Sequence, residues 1–573
     1  MIRDYIQKIL KDALSSQSWT GEIEIDRPPS LDMGDYASPI ALKLSKQLKQ
    51  SPLSIAEKLV KNIKDPQAFF SKVAVISPGF INFWLSDLFL YQFLSKSLQP
   101  DNQFKSTLYA QKKVMVEYTD PNPFKEFHIG HLFSNTVGEA IARMYEQLGA
   151  KVKRANYQGD IGMHVAKSIW GIQHELADTQ QTISQVEKLP LSERSQFLGR
   201  SYTKGSRAFE ENEQIKKEIT EINRQIYAHN PSVMNIYEKG RSWSLEAFEN
   251  IYKKLGTKFD LYYFESQVAD QGIKLVQKHI DDSIFEKSNG AIVFNGKQYG
   301  LHTRVFINSL GLPTYEAKDL ALAPKKYHDF PYDVSLIITG TEVKDYFKVI
   351  LKTLELIDPK LGLRTKHITH GMVRLPSGKM SSRHGNIITG TALLSLVSDK
   401  ISEHMKKNSR ISSELFTSVC EAISVGAIKY SLLKTNIGKD VVFDLDESIS
   451  FDGDSGPYIQ YTASRCSSIL SSLSISDLTF SKPSILEKEE KTLLRELSQF
   501  PSVLSRATEK LAPNYICSSL HSIAQLFNLF YHTHSVIHSD TDKKSFRIAV
   551  VKATEKILNT GLTVLGIQPV SSM

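Results

Sequence analysis

The chain has 573 residues, 41% hydrophobic and 10% aromatic, enough apolar material for several cores and a soft prior of three or four domains. Lys and Arg outnumber Asp and Glu by 70 to 62, an excess that permits a polyanionic partner without demanding one. Cys420, Cys466 and Cys517 are scattered and lack the paired spacing of a disulfide framework or a zinc site. That composition argues for a reducing compartment, the cytoplasm, and against structural zinc or any other resident metal. The longest uninterrupted apolar runs fall short of the ~18 residues that suggest a membrane span, and Asp4, Lys8 and Lys11 stand where a secretory signal would be apolar. No membrane partner is expected.

Ile2, Tyr5, Ile6, Ile9 and Leu10 recur at helical spacing and predict an amphipathic helix. A Pro/Gly/Asp-rich turn at 27–36, a second helix and a strand over 76–85 follow, the outline of a small α+β domain over 1–86. After a helix and linker at 87–113, a short apolar strand at 114–118 runs into Pro121-Asn122-Pro123 and a helix from about 130 to 148. Strand, turn and helix in that order make a nucleotide-binding βα unit. Gly149 is a favoured residue just past a helix end, and 152–156 reads as the next strand, continuing βαβ alternation into Gly159-Asp160-Ile161-Gly162. The fold class expected is α/β: a doubly wound parallel-sheet, Rossmann-type catalytic domain over 87–390, with an amino-terminal α+β domain and a carboxyl-terminal α-helical bundle.

Between about 172 and 290 the sequence is helical and charged, most of all at 192–224, and reads as an insertion. The β-like 291–294 and the turn at Leu312-Pro313 resume the alternation, and buried-strand runs follow at 334–339 and 368–373. The stretch 375–385 is rich in Gly, Ser, Lys and Arg, a candidate mobile loop. Beyond about 390 the period is helical, broken at 451–457, 474–483 and 539–543, which predicts a helical connecting region over 391–452 and a bundle over 453–573.

Candidate chemistry concentrates in Pro121-Asn122-Pro123-Phe124-Lys125-Glu126-Phe127-His128-Ile129-Gly130-His131. Two histidines at i and i+3 face one direction above a helix amino terminus, whose dipole and free N–H groups attract anions. Gly130 lets a nucleotide approach the backbone. The pair has the means to stabilise phosphoryl oxygens during adenylyl transfer; alone, it reads equally as two structural histidines or metal ligands. About 250 residues later, Gly378-Lys379-Met380-Ser381-Ser382-Arg383 offers a cation and hydroxyls suited to a departing pyrophosphate. Alone, this is a solvated basic loop; the two motifs together are far more specific than either.

With both motifs the chain resembles class I aminoacyl-tRNA synthetases, whose catalytic domain carries a His-Ile-Gly-His signature and a later Lys-Met-Ser-Lys or Lys-Met-Ser-Ser signature. The resemblance implies ATP binding by Pro123, His128, Gly130, His131, Lys379 and Met380, with ATP entering with Mg2+ as a substrate. It also implies catalysis of adenylate formation by His128, His131, Lys379, Ser381 and Ser382. Flanking segments are similar to the arginyl family: Val116-Glu117-Tyr118-Thr119-Asp120-Pro121-Asn122-Pro123; Asn156-Tyr157-Gln158-Gly159-Asp160-Ile161-Gly162; Ser450-Phe451 with Gly456-Pro457-Tyr458-Ile459-Gln460-Tyr461; and Gly34-Asp35-Tyr36-Ala37 with Pro78-Gly79-Phe80-Ile81-Asn82-Phe83. The similarity runs nearly end to end.

A guanidinium is always charged and is best held by carboxylates and planar or hydroxylated partners in a fork. By resemblance, Tyr315 and Asp319, one helical turn apart, grip the guanidinium of L-arginine, Glu117 assists, and Asn122 binds the α-amino or carboxylate end. Glu342, with Thr341, is expected to line the pocket, in a segment that departs from the Gln-rich form associated with the family. Without the family, Asp319 is a solvated helix acid, Glu117 a turn residue and Tyr315 a core residue. Asp160, Gly162 and His164 either line the active site at a strand's carboxyl end or, for Asp160, cap a helix.

In the amino-terminal region, Phe80 and Asn82 stand where the family stacks on and hydrogen-bonds a D-loop base of tRNA; otherwise Phe80 and Phe83 pack the small domain and Asn82 caps a turn. Tyr458, Gln460, Tyr461 and Arg465, near the first helix of the bundle, are expected to meet the anticodon loop. Leu526, Phe527, Leu529 and Phe530 read as bundle core, and Lys543, Lys544 and Arg547 as solvated charges unless they touch phosphate. The activity implied is ligation of arginine to tRNA(Arg): arginine and ATP give arginyl-adenylate and pyrophosphate, the terminal ribose of tRNA takes the arginyl group, and AMP leaves. The resemblance further implies a monomer and arginine activation only after tRNA is bound. A catalytically silent RNA-binding paralogue is the rival reading, opposed by retention of His128, His131, Lys379, Ser381 and Ser382.

Overall fold

The computed structural model describes residues 2–14, 21–99, 104–374, 376, 389–408, 411–472, 480, 482–483, 485–539 and 541–573. Helix α1 (Ile2–Ala13) buries Ile2, Ile6, Ile9 and Leu10, the stripe its period predicts. Strand β1 (Tyr36–Ser38), helices α2 (Ile40–Leu48) and α3 (Pro52–Asn62), strands β2 (Phe70–Ile76) and β3 (Phe80–Leu85), and helix α4 (Asp87–Ser97) follow. The strands form an antiparallel sheet in the order β1-β3-β2. The single helix expected here is two, because Lys49 takes a left-handed conformation (φ 52°) and Pro52 opens a new helix whose cap is Ser51. The strand expected over 76–85 is the return arm of a hairpin. Its partner β2 leaves Ser71 and Lys72 exposed at the sheet edge, so it shows no clear alternation in sequence.

The central sheet is built from β4 (Lys113–Tyr118), β5 (Lys151–Gln158), β6 (Leu261–Phe264), β10 (Val334–Gly340) and β11 (Thr365–His370). Its order is β11-β10-β4-β5-β6 and every pair is parallel. Helix α5 (Ile129–Gln147) leads from β4 to β5, and α6 (Met163–Asp178), α7 (Ile183–Glu187), α8 (Leu191–Glu211), α9 (Glu213–Tyr227) and α10 (Pro231–Leu255) lie between β5 and β6. The chain then runs through α11 (Glu265–Lys278), a small antiparallel sheet of β7 (Glu286–Ser288), β8 (Ala291–Phe294) and β9 (Arg304–Ile307), and α12 (Tyr315–Asp329). Winding proceeds outward from β4 in both directions, so the crevice beyond the carboxyl ends of β4 and β10 is the topological switch point, where open α/β sheets bind ligands.

Two expectations need correction. The stretch 172–290 is not all insertion: Leu261–Phe264 is the edge strand of the central sheet, and only α7–α10 stand apart, packed with α6 around Trp170, Phe197, Ile219 and Trp243. A four-residue half-buried strand between long helices carries too little pattern to be seen. Conversely, 291–294 does not resume the parallel sheet; it is the middle strand of the small antiparallel one.

Helices α13 (Lys344–Ile357) and α14 (Pro359–Arg364) connect β10 to β11. The strand expected over 368–373 is split: β11 ends at His370, and β12 (Val373–Arg374) pairs instead with β13 (Val441–Val442). Between these come α15 (Gly390–Asn408) and α16 (Ser413–Leu433), and after them α17 (Leu445–Ser448), α18 (Gly456–Ser471), α19 (Lys488–Glu509), α20 (Asn514–Thr533) and α21 (Thr541–Val564). Helix α16 is long and apolar enough by composition to cross a bilayer, but 61% of the qualifying window is buried inside the structure. It packs against α5, α15 and α18.

In the bundle, Phe527 and Phe530 are buried as expected, whereas Leu529 is 54% exposed. Arg547 is not a solvated charge: it is buried and donates to Glu490 at 2.8 Å. The amino-terminal domain is docked on α19 through ion pairs Arg495–Asp35 (2.7 Å), Lys491–Asp87 (2.6 Å) and Arg27–Glu496, with Asp35 and Glu496 buried. Removing Arg495 strands a buried carboxylate, a loss of about 3 kcal/mol or more. Arg495→Met is therefore expected to give an earlier first thermal transition by calorimetry and faster proteolytic release of the amino-terminal domain; an unchanged melting profile would show that the pair does not hold the domain.

Candidate active site

At the switch point, the chain leaves β4 through Thr119 and Asp120, both with positive φ (81° and 44°), a strained conformation for residues other than glycine and most of all for a β-branched one. The first turns of α5 hold it there. Ser134 Oγ accepts the Thr119 N–H at 3.0 Å, and Asn135 Nδ2 donates to Thr119 Oγ1 at 3.0 Å.

His128 caps α5. Its Nδ1 accepts the Gly130 N–H at 3.1 Å, and His131 Nδ1 accepts the His128 N–H at 3.2 Å. Because both Nδ1 atoms accept, both rings are assigned the Nε2–H tautomer, and they stack with centroids 3.6 Å apart. Burial lowers both below the ordinary histidine value, His131 well below it. Two neutral imidazoles with Nε2–H donors thus stand at a helix amino terminus, where phosphate groups are attracted. Gly130 also serves the ring: a Cβ there would lie 3.0 Å from His128 Nδ1 and Cε1.

Lys379, Met380, Ser381 and Ser382 lie outside the described residues. Further along the chain, Thr389 bridges to His128 and the Gly390 N–H donates to the Phe127 carbonyl at 2.8 Å, which ties the start of α15 to the His128 segment. Lys125 is the described cation beside the histidines; its charge helps to lower both.

The same crevice collects acids. Glu117 Oε2 accepts from Lys326 Nζ at 2.6 Å, both side chains buried. Asp120 Oδ1 accepts the Tyr157 N–H at 2.7 Å. Asp319 accepts from the Tyr346 hydroxyl at 2.6 Å, and Glu265 pairs with Lys318, both buried. Burial pushes Asp120 well above the usual carboxylate range, with Glu117 adding to it. Burial pushes Asp319 up to about 7, with Glu265 and Glu117 adding and the Tyr346 hydrogen bond opposing. Four carboxylates share this space with Lys326, Lys318 and the more distant Lys125, so the pocket is short of positive charge.

Tyr315 opens α12 and is 49% exposed rather than core; the Lys318 ammonium sits 4.7 Å from its ring centre. Asp319 is four residues on, on the same face. Asn122 lies against the carboxyl end of β5: a Cβ on Gly159 would come 2.3 Å from its Oδ1. Glu342 follows β10, and its field falls on His128 and His370, which places it on the histidine side of the crevice. Pro123 is buried just ahead of the signature.

Asp160 does not face the crevice freely; it caps a helix, though one remote in sequence, because the Ser266 N–H is a free first-turn donor of α11. Its carboxylate accepts from Arg241 Nε (2.8 Å), the Ser266 N–H (2.9 Å), Ser266 Oγ (2.8 Å) and Tyr237 (3.3 Å), tying α10 to α11. His164 Nε2 lies 2.7 Å from the Gly159 carbonyl, and burial pushes that ring down to about 3. Sequence reasoning missed Lys318, Lys326, Glu265 and Tyr346. The one local signal was the pair of lysines on the otherwise apolar face of α12.

Two tRNA candidates face inward. Asn82 is buried and its Nδ2 donates to the Met33 carbonyl at 2.7 Å, while Phe80 beside it is only half-buried. Gln460 is buried and its Nε2 donates to the carbonyls of Gln568 (2.8 Å) and Ala422 (3.2 Å), so it braces helices instead of facing a loop of RNA. In a shared network, Tyr458 Oη accepts from Asn528 (2.9 Å), Arg465 donates to Asn528 Oδ1 (2.9 Å) and Tyr461 Oη (2.9 Å), and the Arg465 guanidinium lies over the Tyr461 ring. A cavity of about 620 Å3 opens there, lined by Arg465, Asn528, Leu529, Tyr531 and His532. Among the described residues no group of three His, Cys, Asp or Glu side chains is arranged to hold a metal ion.

A parallel sheet with its crevice between β4 and β10, and a His-Ile-Gly-His at the head of the helix after β4, define a class I aminoacyl-tRNA synthetase. The family model for "tRNA synthetases class I (R), catalytic domain" matches residues 93–445, flanked by matches to "Arginyl tRNA synthetase N terminal domain" at 1–85 and "DALR anticodon binding domain" at 459–573. The chain belongs to the arginyl-tRNA synthetase family. Among curated relatives, the arginine–tRNA ligase of Clostridium acetobutylicum is 30% identical over 553 residues, 96% of each chain. That of Bdellovibrio bacteriovorus is 28% identical over 579 residues, covering 99% of this chain and 97% of its own. Thermus thermophilus arginyl-tRNA synthetase superimposes along the whole of both chains with TM-score 0.83 at 23% identity. The Plasmodium falciparum arginyl-tRNA synthetase does so with TM-score 0.81 at 19% identity, covering 100% of this chain and 99% of its own. At those identities the likeness is one of fold.

Proposed function

We propose that this chain is an arginine–tRNA ligase that uses Mg-ATP to charge tRNA(Arg). The observation that carries the reading is the cation-seeking cluster of Glu117, Asp120, Glu265 and Asp319 within one crevice with two neutral histidines at a helix head. The guanidinium lies against Asp319 and Tyr315, with Glu117 shared between it and Lys326, and Asn122 holds the α-amino or carboxylate end. The arginine carboxylate attacks the α-phosphorus of ATP; the new O–P bond forms as the bond to the β-phosphate oxygen breaks, and pyrophosphate leaves. His128 and His131 donate Nε2–H to phosphoryl oxygens as charge builds, which stabilises the transition state without a proton changing hands. Pro123, Gly130 and Met380 seat the nucleotide, Glu342 closes the histidine side, and Lys125 with Lys379, Ser381 and Ser382 neutralises the leaving group. A ribose hydroxyl of the tRNA terminus, the 2′ in this class, then attacks the adenylate carbonyl and AMP leaves.

In this reading residues 1–86 meet the tRNA corner through Phe80, with Asn82 supporting it; 87–390 catalyse; 391–452 connect; and 453–573 take the anticodon loop at Tyr458, Tyr461 and Arg465, with Gln460 bracing them. By its resemblance to the family, a monomer is the unit proposed, and by its scattered cysteines the cytoplasm is the compartment. The test is charging of total tRNA with each labelled amino acid in turn. Arginine alone is expected to be incorporated; binding of tRNA with no charging at all would instead mark a silent paralogue. Exchange of pyrophosphate into ATP is expected only with tRNA present, and exchange in its absence would refute that order of events.

A further inference from the structure

Helix α5 carries the signature histidines at its head, and near its carboxyl end, at Arg143, it reaches a joint where three parts of the molecule meet. Lys429 of α16, fully buried, donates to the Leu255 carbonyl at the end of α10 (2.6 Å) and to the Gly566 carbonyl just past the end of α21 (2.7 Å). Arg143 of α5 donates to the carbonyls of Gly256 and Thr563, both at 3.1 Å. Two helix carboxyl ends, one from the catalytic region and one from the bundle, thus turn their otherwise unsatisfied carbonyls toward the same two basic side chains. Burial pushes the Lys429 ammonium down to about 7, with Glu139 opposing the shift, and its two carbonyl hydrogen bonds need only its N–H donors.

From this joint, hydrogen bonds run to the strained corner in two short lines. Arg143 Nε donates to Glu139 (2.6 Å), and Glu139 accepts from the Tyr118 hydroxyl (2.5 Å), at the last residue of β4. Thr257, beside Gly256, donates to Asn135 Oδ1 (2.9 Å), whose amide holds Thr119. Both lines end within two residues of Glu117 and Asp120.

We propose that Lys429 and Arg143 form a coupling joint: they fix the carboxyl end of the anticodon-binding bundle to helix α5 and to the Thr119–Asp120 corner, so that tRNA seated on the bundle sets the arginine and ATP groups. The proposal rests on the chain being an arginine–tRNA ligase. Lys429 and Thr257 touch no substrate in that reading; they act as positioning residues.

The experiment compares wild type, Lys429→Met and Thr257→Val in single-turnover charging, enzyme in excess, of full-length tRNA(Arg) and of the same tRNA lacking its anticodon stem-loop. Arginine binding to the free enzyme is measured alongside. In Lys429→Met the charging rate on intact tRNA is expected to fall about tenfold, the size of an ordinary coupling between sites. The affinity for that tRNA, the rate on the truncated tRNA and the arginine affinity stay within about twofold. Thr257→Val, which keeps the packing, shows the same pattern more weakly and carries the test alone if Lys429→Met does not fold. An equal loss on both RNAs, a loss confined to tRNA affinity, or no loss in either variant would overturn the proposal. Failure of the wild type to charge tRNA with arginine would instead refute the functional reading beneath it.

Discussion

Asp319→Asn is expected to raise the arginine KM by roughly a hundred- to a thousandfold, the effect of removing one partner from a buried charge pair, and to abolish the pH dependence of arginine binding. The shape of the residue is kept and only the charge is lost, so the change reports the guanidinium contact. The pH dependence follows from the raised affinity of Asp319 for its proton. Burial holds it at about 7 in the free enzyme, so below pH 7 a proton competes with the guanidinium for the carboxylate. Arginine affinity is expected to weaken about tenfold for each pH unit below 7 and to level off above it.

The sign for stability is the reverse of the usual acidic residue. A carboxyl raised from 3.8 to about 7 binds more protons folded than unfolded between those values, so it destabilises the free enzyme progressively as pH rises through that window. Bound guanidinium offsets this, and saturating arginine is therefore expected to raise the melting temperature more at pH 8 than at pH 6. Titration of arginine affinity by calorimetry from pH 5.5 to 8.5, in wild type and Asp319→Asn, decides it. A flat wild-type profile, or a sloped one that survives the substitution, would remove Asp319 from the guanidinium site.

The second large effect belongs to His131. His131→Ala is expected to lower the rate of adenylate formation by roughly a hundred- to a thousandfold, as for loss of one donor aimed at developing charge, with the arginine KM within about threefold of wild type. Two contacts go at once, the Nε2–H donor and the acceptor for the His128 N–H (3.2 Å). Loss of the second frays the head of α5 by about 1 kcal/mol, which shows in the melting temperature and is too small to explain the rate. Because burial holds His131 well below the ordinary value, the neutral ring is the working form, and its protonation does not set the acid limb near neutral pH. Equal losses in rate and in ground-state ATP binding would identify His131 as a structural cap only.

The sequence by itself determined the local units and the family. The turn Pro121-Asn122-Pro123 between an apolar strand and a glycine-bearing helix head put His128 and His131 where they stand, because capping and helical spacing act within a single turn. The spacing of Ile2, Ile6 and Ile9 placed α1 for the same reason. The arginyl resemblance of the segments around Asn82, Glu117, Asp160 and Gln460 pointed to one family across the whole chain. What only the tertiary structure decided are pairings between residues remote in sequence. Lys326 meets Glu117 across 209 positions and Lys318 meets Glu265 across 53, and no local pattern encodes which lysine neutralises which acid. Leu261–Phe264 joins the sheet only because β5 offers it an edge. Asn82 and Gln460 turn inward to backbone carbonyls; an amide side chain satisfies RNA or backbone equally well, and the packing around it decides which. The elevated proton affinity of Asp319 is likewise a product of burial and of the field of Glu265 and Glu117, quantities that exist only once the sheet has closed around them.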